Sequence, residues 1–200
     1  MNPLKRIKGT QDILPGESQR WIALENVIRR QMKLYNYNEI RTPVFELTDL
    51  FARGIGQLTD IVSKEMYTFI DRSEKSVTLK PEMTAPVMRA YLENNLQAQA
   101  PVHKLYYIAP LFRQERPQAG RLRQFNQFGA ECIGSPAAAS DAETILLALD
   151  IFNRLGLENL DLRINSVGDA ECREPYKKIL QDYLKKAVTN PAQDLKDRIR

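Results

Sequence analysis

The chain has 200 residues, of which 43% are hydrophobic and 27% are charged. This content is enough for one sizeable core or two small ones, and it excludes a peptide, a fibre and a disordered tail. Lysine and arginine number 29 against 25 aspartates and glutamates, and the net charge of +4 permits a polyanionic partner without requiring one.

The cysteines and the apolar runs indicate the kind of cellular compartment in which we expect the protein. Cys132 and Cys172 lie far apart, and His103, the single histidine, is near neither, so no disulfide framework or zinc site is predicted. We expect a reducing, cytoplasmic environment and no metal ligand set. No apolar run exceeds five residues, as at 145–149, so we expect neither a membrane span nor a signal peptide.

The first predicted elements are a helix and a strand. Apolar residues at helical spacing from Trp21 to Met32 predict an amphipathic helix. Residues 39–45 then alternate as in a strand. Pro43 lies inside this strand and cannot donate to a ladder, which indicates an edge, a bulge or an interface.

A short helix, a hairpin and a second helix follow. Thr48 is a candidate cap of a helix that ends near Gly54, and residues 66–70 and 76–80 flank a polar turn as a hairpin. Thr84 offers a capping hydroxyl for the next helix.

The second half of the chain begins with a long predicted hairpin, residues 103–115 and 121–133. Ser140 and Glu143 have the spacing of a capping box at a helix start. A strand is predicted at 160–167, and from residue 168 the sequence is helical and highly charged.

Hairpins with helices between them favour an α+β fold, an antiparallel β-sheet with helices on one face, over a parallel doubly wound sheet. Neither a G-x-G-x-x-G loop nor a G-x-x-x-x-G-K-[ST] loop occurs, so any nucleotide binds without them.

Alternation along the long hairpin separates its residues by face. The even positions are apolar and suit packing under helices, provided that odd residues pair with odd ones. The odd positions from 113 onward carry most of the charge: Arg113, Glu115, Arg121, Arg123, Phe125, Gln127, Gly129 and Glu131.

Two interpretations of the odd face stay open. It could be the solvated side of an antiparallel sheet, which needs no ligand. Alternatively, Gly129 leaves a gap beside Glu131, and Phe125 is a flat ring among charges, which together suggest a pocket for a purine, phosphates and a cation. Glu82, at a helix start, is similarly either a surface glutamate or a ligand for an ammonium group.

Several of these segments resemble a known family. The run Phe112-Arg113-Gln114-Glu115, followed by Arg121-x-x-x-Phe125, resembles the second signature of the class II aminoacyl-tRNA synthetases. The wider resemblance, from residue 7 to about 190, is to the histidyl-tRNA synthetase family, through KGTQDILP, EIRTPVFE, LKPEMTAPVMRA and RQERPQAGRLRQFNQFGAE.

The resemblance implies the class II catalytic fold, in part, and a ligase that activates histidine with ATP and charges tRNA(His). It implies that Arg113 is catalytic, holding the α-phosphate and the histidine carboxylate in line. The ATP-binding residues that it implies are Arg113, Glu115, Arg121 and Phe125.

Histidine binding is implied for Glu82, Thr84, Arg113, Gln127 and Glu131. Of these, Glu131 accepts a hydrogen bond from the imidazole and so gives specificity. The resemblance also implies tRNA acceptor contacts at Arg116, Gln118 and Arg123, and a homodimer interface at Pro43. Mg²⁺ is expected with ATP, but its ligands are not identified in this chain.

By the same resemblance, residues 1–167 are the N-terminal part of the catalytic domain, and 168–200 begin a helical insertion. The family's later motifs and its anticodon-binding domain have no match here, so we expect the 200 residues alone to be inactive. The alternative in the same fold is a regulatory subunit of the ATP phosphoribosyltransferase of histidine biosynthesis, although the intact loop ERPQAGRLRQF favours the enzyme. A single-stranded RNA-binding module is a third alternative.

Overall fold

The structure is a computed structural model and describes residues 4–55, 65–165 and 168–187. The chain divides into two compact units, residues 1–158 and 159–200. The helices and strands of the first unit are α1 (Glu17–Leu34), β1 (Asn38–Glu39), β2 (Phe45–Leu47), α2 (Thr48–Ile55), β3 (Thr68–Ile70), β4 (Ser76–Leu79), α3 (Thr84–Glu93), a short 3-10 helix (Leu96–Ala98), β5 (His103–Phe112), β6 (Gln124–Ile133) and α4 (Ala138–Arg154). The second unit contains α5 (Ala170–Ala187).

The predicted α+β class is confirmed, with two small sheets in place of one. The first sheet has the order β1-β5-β6, in which β1 runs parallel to β5 and β6 antiparallel to it. The second sheet has the order β2-β4-β3 and is antiparallel throughout, so the hairpin predicted from 66–70 and 76–80 is present.

The strand predicted at 39–45 is wrong as one element, because the chain changes sheets there. Ile40 N still donates to Tyr106 O (2.8 Å) beside β5, whereas Val44 O already accepts from Lys80 N (3.0 Å) beside β4. Pro43 lies between these two bonds, where the chain crosses from one sheet to the other and no ladder donor is needed.

The long hairpin is confirmed, and its register, from His103 with Ile133 to Phe112 with Gln124, pairs odd residues with odd ones and even residues with even ones. The even face packs as predicted under helices: Ile108 and Phe128 join the core of α1 and α4 around Ile28. The odd face of β5 is also covered, by Met83 and by α3, so helices lie on both faces of this sheet and not on one.

Two further expectations are corrected. The helix α4 begins at Ala138, so Ser140 lies inside its first turn, where its hydroxyl pairs with Ser135 Oγ (2.6 Å), and the predicted capping box does not form. Residues 160–165 form no strand in the described structure; residues 166 and 167 lie outside the described residues.

The predicted helical character after residue 168 is confirmed as far as Ala187 by α5. Across the described residues, no helix is both long and apolar enough to cross a membrane.

Candidate functional site

The segment 81–84 crosses the odd face of the β5–β6 hairpin and contacts that face at two points. At one end, Arg113 Nε donates to the carbonyl oxygen of Pro81 (3.0 Å). At the other end, Thr84 Oγ1 donates to Glu131 Oε1 (2.8 Å). Arg113 and Glu131 therefore lie on the same side of the sheet, as the alternation of the strands requires, and one short segment joins them.

Glu82 caps the helix α3. Its carboxylate accepts from the backbone N–H groups of Thr84 (2.6 Å) and Ala85 (3.1 Å), which have no partner within the helix. The predicted cap, Thr84, is instead the first residue of the helix, and its hydroxyl is used on Glu131. The cap fixes the direction of Glu82 and leaves its negative charge at the positive end of the helix dipole.

The carboxylates of Glu82 and Glu131 make this end of the face anionic. Burial, together with the nearby charge of Glu82, raises the pKa of Glu131, against the hydrogen bond from Thr84. Burial, with the charges of Glu131 and Glu82 as further causes, raises the pKa of Tyr107 to about 12, so its hydroxyl keeps its proton at neutral pH.

The gap expected at Gly129 is filled. Gly129 lies opposite Tyr107 in the ladder, and a Cβ atom at position 129 would lie 2.3 Å from the Tyr107 hydroxyl oxygen and 2.4 Å from its Cζ. The glycine therefore makes room for a tyrosine ring from the neighbouring strand, and not for a ligand directly.

The other end of the face is an open cavity of about 770 Å³ around Arg113. The Arg113 guanidinium carbon lies 5.2 Å from the centre of the Phe125 ring, within cation–π distance. Glu115 lies between two arginines, 3.9 Å from Arg113 and 3.7 Å from Arg121. The flat ring, the two guanidinium groups and the acid suit an aromatic base that carries phosphates.

The remaining predicted residues occupy several places. Gln127 pairs with Ala109 in the ladder, in the same row as Phe125 and Glu131. Arg116 and Gln118 are exposed on the loop between β5 and β6.

The Arg123 guanidinium is engaged with backbone carbonyls, donating to Glu115 O (3.2 Å) and Lys8 O (3.4 Å). Pro43 is exposed, as an interface position would be in a lone chain.

Sequence reasoning missed four contributors to this face. They are Tyr107, the carbonyl group of Pro81, and two residues that line the cavity around Arg113, namely Gln11 and Glu65. The alternation that selected the odd residues from 113 onward, extended back along β5, would have found Tyr107. The other three come from distant segments, and no pattern along the hairpin points to them.

Among the described residues, no group of three or more histidine, cysteine, aspartate or glutamate side chains could hold a metal ion. The described geometry thus offers two chemically different ends of one face: an anionic end with hydroxyl and amide groups, which suits a small cationic ligand, and a cationic end beside a flat ring.

Comparison with known proteins points to one family. A family model described as histidyl-tRNA synthetase matches residues 9–171. A histidine–tRNA ligase from Desulforamulus reducens is 56% identical over 185 residues, which are 92% of this chain and 44% of that protein. The chain therefore spans about half the length of the curated relatives that it matches.

Two solved structures are similar in fold. Apo histidyl-tRNA synthetase from S. aureus has a TM-score of 0.75 at 42% identity, covering 99% of this chain and 46% of that one. A Bacillus halodurans protein titled as an ATP phosphoribosyltransferase regulatory subunit/histidyl-tRNA synthetase has a TM-score of 0.73 at 22% identity, covering 99% and 55%. The second likeness concerns the fold alone.

Proposed function

Because the chain belongs to the histidyl-tRNA synthetase family, we propose that it supplies the part of a histidine–tRNA ligase that activates L-histidine with ATP and meets the acceptor end of tRNA(His). The single observation that carries this proposal is the segment 81–84, which joins Arg113 and Glu131 across one face of the hairpin. Activation needs the amino acid and the phosphate in line. A short segment that contacts both ends of the face holds the amino-acid site and the phosphate site in a fixed relative position.

At the cationic end, the Phe125 ring and Glu115 take the adenine, and Arg121 takes the terminal phosphates. Arg113 then lies between the phosphates and the amino acid. Its bond to Pro81 O holds the guanidinium group in one direction, so its remaining N–H donors are preorganised for the α-phosphate and the histidine carboxylate. Negative charge that develops as the carboxylate attacks the α-phosphate is stabilised there, and pyrophosphate leaves.

At the anionic end, Glu131 accepts a hydrogen bond from an imidazole N–H. A side chain without that donor would leave the half-buried Glu131 carboxylate with the Thr84 hydroxyl as its donor and no partner from the ligand, which is the physical basis of selection for histidine. The α-ammonium group goes to Glu82, Thr84 and Gln127. Thr84 keeps the Glu131 carboxylate in place through its 2.8 Å hydrogen bond.

The transfer step involves the loop between β5 and β6. Arg116 and Gln118 are exposed there and meet the acceptor end of the tRNA. Arg123 contributes to the same contact chiefly by holding the loop, since its guanidinium donates to backbone carbonyls.

The proposed partner beyond the substrates is a second copy of the chain. Pro43 marks the interface, and the strand that follows it exposes the apolar side chains of Phe45 and Leu47. An exposed apolar patch of this kind is typical of a protein interface.

Three further points complete the proposal. Mg²⁺ would arrive with the ATP phosphates; of the two acids that line this cavity, Glu65 and Glu115, the latter is already paired with two arginines. Residues 1–167 are the N-terminal part of the catalytic domain, and 168–200 begin a helical insertion. The site of action is the cytoplasm.

The test is histidine-dependent exchange of pyrophosphate into ATP, measured on the full-length protein with the 200-residue chain beside it. We expect exchange in the full-length protein, little in the 200 residues alone, and a loss of about 10²–10³-fold on Arg113→Ala, the size found for a preorganised charge. Arg72→Ala, an exposed arginine in the turn between β3 and β4, is the matched control.

Absence of exchange in the unsubstituted full-length protein would contradict the proposal and favour the regulatory-subunit alternative. Exchange that survives Arg113→Ala would contradict the role of Arg113 alone.

A further inference from the structure

A strap formed by residues 5–11 lies against the loop between β5 and β6. The backbone N–H of Arg123 donates to Gly9 O (2.7 Å), and the Arg123 guanidinium donates to Lys8 O. Gly9 has a φ of 89°, and a Cβ atom there would lie 2.8 Å from Arg123 Cγ and 2.9 Å from Pro117 Cγ. The strap therefore packs closely against the loop, in a backbone conformation that glycine readily adopts.

A cavity of about 420 Å³ opens between the strap and the loop. Arg6 and Lys8 line it from the strap, and Gln118 and Leu122 line it from the loop. No acidic side chain lines this cavity in the described part of the chain. Lys5, next along the strap, is also exposed. Three cationic side chains therefore lie within four positions of the chain, and the loop side chains that line the cavity are uncharged.

This outer cavity adjoins the cavity around Arg113, since Gln11, Gln118 and Leu122 line both. Arg6 and Lys8 line only the outer one. The strap cations are therefore placed to receive an anion that approaches over the loop, and they are not placed on the ATP cavity itself.

We propose that Lys5, Arg6 and Lys8 bind backbone phosphates of the RNA whose end the loop receives. This inference rests on the proposed function and deepens it. Cationic side chains on a fixed backbone bind a phosphate chain with little ordering cost, and such contacts position an RNA without reading its sequence. The strap and the loop together form a two-sided clamp, in which the strap supplies affinity and the exposed loop residues Arg116 and Gln118 supply recognition.

The test is the triple substitution Lys5→Gln, Arg6→Gln and Lys8→Gln in the full-length protein, with the affinity for tRNA(His) transcript measured by fluorescence anisotropy over a salt series. We expect Kd to rise about tenfold or more at low salt, and the slope of log Kd against log salt to fall by about two, because each lost phosphate contact removes about 0.7–0.9 of that slope. The matched control removes the same charge elsewhere, by Lys33→Gln, Arg72→Gln and Lys75→Gln, all at exposed positions.

An unchanged Kd and slope, or an equal loss in the control, would overturn the inference. So would a raised KM for ATP in pyrophosphate exchange, because the strap would then serve the nucleotide. The binding assay needs no catalysis, so a protein without exchange activity would contradict the proposed function and still test the strap directly.

Discussion

Tyr107 lies opposite Gly129 in the β5–β6 ladder, and its hydroxyl occupies the space that a side chain at position 129 would need. Only 4% of Tyr107 is exposed, and the charges of Glu131 and Glu82 both act on its hydroxyl. The Tyr107 ring thus lines the site beside Glu82 and Glu131. The size of the side chain at position 129 determines the position of this ring.

The first prediction concerns Gly129→Ala. The added methyl group would lie well inside contact distance of the Tyr107 ring, so the ring must move, and we expect a loss of about 1–3 kcal/mol in the free energy of unfolding. The KM for histidine should rise more than the KM for ATP. Urea unfolding and pyrophosphate exchange measure the two effects.

Tyr107→Leu provides the control for this prediction, since it removes the ring atoms that the methyl group would meet. In that background Gly129→Ala should cost clearly less stability than in the wild type, a non-additivity that a double-mutant cycle measures. Strictly additive losses would contradict the proposed contact.

The second prediction is a pH dependence at Glu131. Its pKa is raised in the folded protein, so the folded state holds this proton more tightly than the unfolded chain does. The stabilising contribution is therefore complete below the ordinary pKa of 4.5 and is lost as pH rises through the raised pKa. Glu131→Gln removes the buried charge, so we expect the variant to be more stable than the wild type at pH 7, with the difference shrinking toward pH 4.

Urea unfolding at both pH values checks this, with the exposed Glu158→Gln as the control that should show no such trend. Histidine-dependent exchange, in contrast, should be weaker in Glu131→Gln than in the wild type, because the carboxylate is the group that accepts a hydrogen bond from the imidazole. If Glu131→Gln were less stable than the wild type at pH 7, the prediction would be wrong. Other groups of the folded protein would then compensate the charge of the Glu131 carboxylate.

The third prediction separates two roles of Glu82, helix cap and ligand. Glu82→Ala removes the acceptor of the Thr84 and Ala85 N–H groups, and we expect it to cost about 1 kcal/mol of stability as well as histidine affinity. Glu82→Gln keeps an acceptor oxygen and loses the charge, so stability should change by only a few tenths of a kcal/mol while the KM for histidine rises. Equal KM values for the Gln variant and the wild type would assign Glu82 to capping alone.

The elements that could be predicted from the sequence have signals within their own segments. Apolar spacing was sufficient for α1, and alternation was sufficient for the register of β5 and β6, because a slip by one residue would have moved Ile108 and Phe128 out of the core. The same alternation predicts that Arg113 and Glu131 share one face.

The remainder depends on neighbours that the local sequence does not reveal. Glycine at 129 is compatible with an empty pocket or with a ring from the next strand, and only the pairing with Tyr107 decides between them. The segment after Glu39 alternates well but changes partner strand at Pro43. Thr84 was the predicted cap of α3, but the backbone path places the Glu82 carboxylate at the free N–H groups.

The last prediction concerns the proposed homodimer. Leu47 and Phe69 both pair with Val77, so their side chains form one row on one face of the second sheet, and they are 54% and 47% exposed. Water against such a row is unfavourable, and a second copy of the chain would cover it. The double substitution Leu47→Lys and Phe69→Lys should therefore convert a dimer to a monomer at micromolar concentration in sedimentation velocity. Ser73→Lys, in the exposed turn nearby, should leave the dimer intact, and an unchanged mass for the double variant would place the interface elsewhere.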